Sequence, residues 1–273
     1  MKKIHVNSKQ PSQQQLNSLL ELYQIGRYVD AEKLSLSITQ EFSKHPFAWK
    51  VLSAALKQNG RISESLIASQ TSVQLGPLDA EAHNNLGNIL KELGKLEEAE
   101  TSLRQAIILK PDLVEAHYNL SVLLKKLGRL DEAEVSYKKV IALKPDYAEV
   151  HNNLGNTLQE LGRLDEAETS LRQAIKLKPD YANAYNNLGV ILQKLRKLTE
   201  ACSAYIQAIN LNPDFTDAYE NLGIAIKNVR FNSSNVKLYP VLIRLLSAGN
   251  FARPKDLAPS ILSLLKHDPL IKN

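Results

Sequence analysis

Asn85, Asn119, Asn153, Asn187 and Asn221 stand 34 residues apart, each in the same local context. Asn84, Asn152 and Asn186 adjoin members of this series, and Asn88 and Asn156 lie one helical turn further on. A carboxamide carries two N–H donors and one carbonyl acceptor, so a row of them can grip both the N–H and the C=O of an extended polypeptide. Such a grip reads backbone, largely independently of sequence. Asparagine is also a poor mid-helix residue, about 0.6 kcal/mol worse than alanine, because its amide competes for backbone hydrogen bonds. Stability alone does not account for five of them. Duplication offers a plainer origin: residues 80–113 and 148–181 agree at 27 of 34 positions, so the amides could have been copied with the unit.

Other groups invite other chemistry. Lys57, Lys91, Lys125 and Lys227 share one repeat position, with Lys126 and Lys194 nearby, and could favour acidic partners. Glu81, Glu92, Glu115, Glu149 and Glu160 offset them, so the face is mixed rather than basic. His83, His117 and His151 also recur, but equivalent helices stacked about 8–10 Å apart cannot bring their rings to one ion whose ligands stand about 2.1 Å away. Packing against the neighbouring helix is expected there, as Trp49, Tyr185 and Tyr219 occupy the same place. The acidic pairs Glu97-Glu98, Asp131-Glu132 and Asp165-Glu166 open helices, where they complement the helix dipole rather than serve acid–base catalysis. Cys202 has no histidine in its repeat and reads as a buried thiol. Nine of the eleven glycines occupy repeat positions, and neither Gly76 nor Gly249 begins a phosphate-binding loop. No catalytic residue, metal ligand or cofactor is expected.

The elements that position these residues follow from the same period. Leu52-Ser53, Leu86-Gly87, Leu120-Ser121, Leu154-Gly155, Leu188-Gly189 and Leu222-Gly223 keep one register across six copies, the mark of a unit stacked on itself. Units are assigned to 46–79, 80–113, 114–147, 148–181 and 182–215, preceded by a divergent one at 12–45 and followed by a degenerate one at 216–249. Each holds two stretches of helical apolar spacing, such as 81–93 and 97–109. Glycine inside the first helix costs about 1 kcal/mol relative to alanine, so Gly87, Gly155, Gly189 and Gly223 predict a close helix crossing. Gly26, Gly60, Gly94, Gly128 and Gly162 predict left-handed caps on the first helices, and Pro77, Pro111, Pro145, Pro179 and Pro213 end the second. Asp112-x-x-Glu115, Asp146-x-x-Glu149, Asp131-x-x-Glu134 and Asp165-x-x-Glu168 read as capping boxes.

These residues together resemble the tetratricopeptide repeat, a 34-residue helix–turn–helix unit, over about residues 12–249. The wording Ala82-His83-Asn84-Asn85-Leu86-Gly87 is most similar to the arm of O-linked N-acetylglucosamine transferases and related bacterial proteins. The resemblance implies an all-α, right-handed solenoid of six to seven repeats, with first helices lining a concave groove where matching asparagines hold a polypeptide backbone. It also locates a chaperone-tail carboxylate clamp at positions held here by Glu115 and Asn119, which lack the required lysine and arginine. At the edges the pattern weakens. Ser18 and Ser43 stand where leucine and proline are expected, and Phe231-Asn232-Ser233-Ser234-Asn235 replaces a short glycine turn. Residues 1–11 are taken as an extension, and 250–273 as a helical cap or linker, with helices expected at 238–248 and 256–267. The final Leu270-Ile271-Lys272-Asn273 reads as the interior of a longer protein.

Composition bounds the function. The formal charge is +5, but residues 224–273 hold eight Lys/Arg against two acids, leaving 1–223 near −1. A repeat-reading RNA binder would need a basic groove, so nucleic acid is not an expected partner. A single cysteine excludes an internal disulfide, no run of 18 apolar residues could span a bilayer, and the first residues lack an apolar signal; the expected compartment is the cytoplasm. The expected function is a non-catalytic scaffold that binds extended protein segments through Asn84, Asn85, Asn88, Asn119, Asn152, Asn153, Asn156, Asn186, Asn187, Asn221, Lys91 and Lys125. The alternative is a substrate-recruiting arm whose transferase domain is continuous or associated with it.

Overall fold

A computed structural model describes residues 10–227, 229, 239–247 and 254–268. The described residues form fifteen helices and no strand. They fall into two compact units, 1–136 and 137–273. The first holds α1 (Gln13–Gln24), α2 (Tyr28–Glu41), α3 (Pro46–Gln58), α4 (Ile62–Leu75), α5 (Ala80–Glu92), α6 (Leu96–Leu109) and α7 (Val114–Lys126). The boundary falls within α8 (Leu130–Leu143). The second unit continues with α9 (Ala148–Glu160), α10 (Leu164–Leu177), α11 (Ala182–Lys194), α12 (Leu198–Leu211), α13 (Thr216–Ile226), α14 (Tyr239–Ser247) and α15 (Pro254–Leu265). The helix expected at 238–248 is α14, and the one expected at 256–267 is α15, begun two residues earlier. The replaced glycine turn at 231–235 and the terminal 270–273 lie outside the described residues.

From α1 to α7 and from α9 to α13 each helix packs on the next, and the odd-numbered helices also touch two apart: α1 on α3, α3 on α5 and α5 on α7, then α9 on α11 and α11 on α13. The mid-helix glycines explain how closely the pairs approach. A Cβ on Gly87 would stand 2.6 Å from Leu103 Cγ of α6, and one on Gly155 2.7 Å from Leu171 Cγ of α10. At Gly189 it would meet the Tyr205 ring of α12 at 2.5 Å. Leu103, Leu171 and Tyr205 are fully buried, so the large residue fills the space the glycine leaves. Where Ser53 replaces the glycine, Ser69 replaces the large partner, and Ser53 Oγ donates to the Ser65 carbonyl at 3.0 Å.

The first helices end as expected. Gly26, Gly60, Gly94, Gly128 and Gly162 have φ between +74° and +79°. At the first of these, Arg27 N donates to the Leu22 carbonyl, the six-to-one bond that closes a left-handed cap. In the 182–215 hairpin Arg196 takes that place with φ +63°, and Lys197 N still donates to the Leu192 carbonyl.

The capping boxes are a correction. Leu113, Tyr147 and Arg163 hold the N-cap positions of α7, α9 and α10, and none makes a side-chain cap bond. Asp112 and Asp146 stand one residue too early, while Asp131 and Asp165 lie inside the first turns of α8 and α10. There the acids meet the helix dipole, and Arg163 Nε donates to Glu166 three residues on. Side-chain caps occur at Asp79, which accepts from Ala82 N, and at Ser12, which forms a box with Gln15.

At the other end, α15 packs on α13, and Ser260 Oγ donates to the Ile226 carbonyl at the close of α13 (2.6 Å). Tyr239 of α14 donates its hydroxyl to Asp268.

Candidate functional site

In the 1–136 unit the first helices bound a cleft of about 530 Å³. Leu20 and Tyr23 of α1, Phe47, Val51 and Ala54 of α3, and Leu113 before α7 give it an apolar wall. Lys50, Glu81, Asn84 and Asn85 supply the polar side. Lys50 bridges Asp79 and Glu81, both at 2.9 Å. Burial would by itself lower the lysine's pKa, but the two carboxylates outweigh it and hold it above the usual value. Lys50 is thus neutralised within the wall. The apolar residues and Lys50 carry no repeat signature, which is why the sequence reading passed over them.

The asparagines form a bonded ladder. Asn119 Nδ2 donates to Asn84 Oδ1 (2.9 Å), Asn187 to Asn152 (2.9 Å) and Asn221 to Asn186 (3.1 Å). Each bond joins two first helices across a 35-residue step. Asn152 and Asn186 are 5% and 8% exposed, so these acceptors work inside the protein. Asn85, Asn119, Asn153, Asn187 and Asn221 are half-buried and keep surface toward solvent. Asn119 uses one of two N–H donors on Asn84 and takes Lys91 Nζ at 3.4 Å on its carbonyl. Both atoms of its amide are therefore oriented, with capacity to spare. Asn85 makes no side-chain hydrogen bond among the described residues, because Lys50 stands where Asn84 or Asn152 stands in later repeats and a lysine cannot accept. Asn88 and Asn156 are half-buried one turn on, and Asn221 also lines a second hollow of about 470 Å³ with Val190, Gln193 and Tyr205.

The recurring rings have a shared task beyond packing. His83, His117 and His151 place Nε2 3.0, 3.0 and 3.1 Å from the carbonyls of Pro77, Pro111 and Pro145, six residues back. Trp49 Nε1 donates to the Ser43 carbonyl in the same way (2.8 Å). A carbonyl only accepts, so each histidine carries its proton on Nε2. The ring fastens the turn between one hairpin and the next. A repeated ring with a donor nitrogen, six residues after the turn, was the available signal.

Lys91 lies half-buried beside the ladder, and its pKa is lowered, first by burial and then by the neighbouring Lys57 and Lys126. Lys125 sits half-buried in the last turn of α7. Cys202 is 1% exposed, and burial pushes its thiol up to about 12.

Stacked helical hairpins of this period, joined by bonds between equivalent helices, define an all-α solenoid of helix–turn–helix repeats. The chain belongs to the tetratricopeptide-repeat family: the profile described as TPR repeat matches residues 87–128, 123–162 and 158–195, and tetratricopeptide-repeat profiles match 69–101 and 182–215. Among solved structures it is similar to YrrB, a TPR protein described as having an unusual peptide-binding site. The identity is 21% and the TM-score 0.59, over 67% of this chain and 95% of that one. It is also similar to PilF of Pseudomonas aeruginosa (16%, TM-score 0.68, 76% and 94%). MamA of Desulfovibrio magneticus RS-1 is a third (19%, 0.59, 63% and 97%). At these identities the likeness concerns the fold. No curated protein matches the chain. The finer likeness to transferase arms rests on sequence wording alone.

Proposed function

We propose that this chain is a non-catalytic interaction scaffold that holds an extended polypeptide segment against its first helices. The observation that carries the reading is the state of Asn119, Asn187 and Asn221: half-exposed, oriented by bonds between helices, and still able to donate and accept. Oriented amides lose little freedom when a partner binds. The apolar wall of Leu20, Tyr23, Phe47 and Val51 beside Asn84 and Asn85 supplies the water-excluding surface that makes such bonds count. A segment held through its backbone would be accepted with broad sequence tolerance. A lone cysteine, buried and unpaired, suits a reducing compartment such as the cytoplasm.

Asn85 gives a clean test because it has no bond to lose within the protein. Peptides selected by the full chain from a displayed random library should bind Asn85→Ala about fivefold more weakly, the worth of about 1 kcal/mol for one net hydrogen bond. Circular dichroism should be unchanged. Replacing Asn85, Asn119, Asn153 and Asn187 together by alanine should abolish capture. Unaltered binding by both variants would refute the reading.

A further inference from the structure

One step of the groove-side ion pairing is missing. Lys57 in the last turn of α3 reaches Glu92 at the end of α5, 35 residues on, at 2.7 Å. The same step from Lys91 arrives at Lys126, so a second lysine stands where the previous repeat has a glutamate, and it repels Lys91. Lys126 is exposed and forms no ion pair among the described residues. Lys91 is half-buried, and its polar contact is the neutral carbonyl of Asn119, at 3.4 Å. Its near acid, Glu92, is already bound by Lys57. Burial together with the repulsion of Lys57 and Lys126 lowers the Lys91 pKa, whereas Lys50, which lines the cleft, is raised by its two carboxylates. A charge drawn out of water without a counter-charge is unfavourable, and an incoming anion relieves it.

We propose that Lys91, Lys126 and the Asn119 carboxamide form a subsite for the side-chain carboxylate of an aspartate or glutamate within the bound segment. This rests on the peptide-holding reading above and adds a preference to it. The Asn119 N–H not used by Asn84 can donate to the carboxylate alongside the two ammonium groups. The geometry favours a side chain over a chain terminus. Lys91 lies six residues beyond Asn85, about 9 Å along the helix and beyond the residues that line the cleft. A backbone held on the mid-helix amides can send a carboxylate outward to that lysine, whereas a terminal carboxylate would draw the backbone off them.

The probe is a random twelve-residue peptide library, displayed without a free carboxyl terminus and selected on the full chain at low salt. Selected peptides should be enriched in aspartate or glutamate. The Lys91→Gln, Lys126→Gln double variant should bind them about tenfold more weakly, a loss that shrinks as salt is raised. Changing the peptide's acid to its amide should then cost nothing further on that variant. Peptides selected without acidic enrichment, or acidic peptides that bind the variant equally well, would overturn the subsite while leaving the cleft reading intact. Acid dependence confined to a library that ends in free carboxylates would overturn the side-chain assignment. A library that gives no binders at all would overturn the cleft reading, and the subsite with it.

Discussion

Arg196 shows what a single side chain can be made to tolerate. Its φ of +63° is the left-handed conformation that five equivalent glycines adopt, and a side chain there costs about 1–2 kcal/mol. Glycine should relieve it, so Arg196→Gly is expected to raise stability by about 1 kcal/mol in a denaturant titration, with unchanged slope. Cys202 gives a second test at this scale. With the thiol pushed up to about 12, the thiolate is scarce at pH 8, and iodoacetamide should label the native protein at least a hundredfold more slowly than the unfolded chain. Cys202 is buried, as the lack of a histidine in its repeat leads one to expect. The sequence marks the ladder position too, but not the acceptor role of Asn84, Asn152 and Asn186. That bond joins two different repeat positions across 35 residues, and a search for identical residues 34 apart does not see it.

Between helices, the deciding quantity is the gap that glycine leaves. A methyl at Gly189 would lie 2.5–2.8 Å from three atoms of the Tyr205 ring, which is fully buried and bonded through its hydroxyl to Gln193 (3.1 Å). The ring has nowhere to go. Gly189→Ala is expected to cost about 1–3 kcal/mol from overpacking, and the gain of about 1 kcal/mol in helix propensity offsets only part of it. At Gly60 the added Cβ meets nothing within 4 Å, so substitution there is governed by φ +79° alone. Thermal unfolding of the Gly189→Ala and Gly60→Ala variants separates the two causes. Glycine spacing carried this much of the fold because each class of glycine has its own offset from the leucine. The capping boxes misled for the opposite reason: a Ser/Asp-x-x-Glu pattern fixes a spacing, not a register. In a chain rich in acids two residues of slip put the aspartate inside the helix, as at Asp165.

Across the whole molecule, second helices are tied by carboxylates that each serve two cations. Glu100 accepts from Arg104 and Arg129, and Glu168 from Arg172 and Lys197, in each case one partner on its own helix and one just before the second helix of the next hairpin. Burial would raise these carboxyl groups, but their cations outweigh it and hold both below the usual range. In the unfolded chain a glutamate titrates near about 4.3. A pKa depressed by folding contributes stability that is complete above the unfolded value and is lost as pH falls through the folded one. Each group is worth at most about 1 kcal/mol. One joint lies in each compact unit and they share no partner, so their losses add rather than substitute for one another. The midpoint of thermal unfolding, followed by circular dichroism at 222 nm, is therefore expected to hold steady from pH 7 to about 5 and to drop below about 4.5. In the Glu100→Gln, Glu168→Gln double variant stability should be lower at pH 7 and the acid limb shallower, because a glutamine has no proton to gain. An acid limb as steep in the variant as in the parent protein would show that other carboxylates, not these joints, set the response to acid.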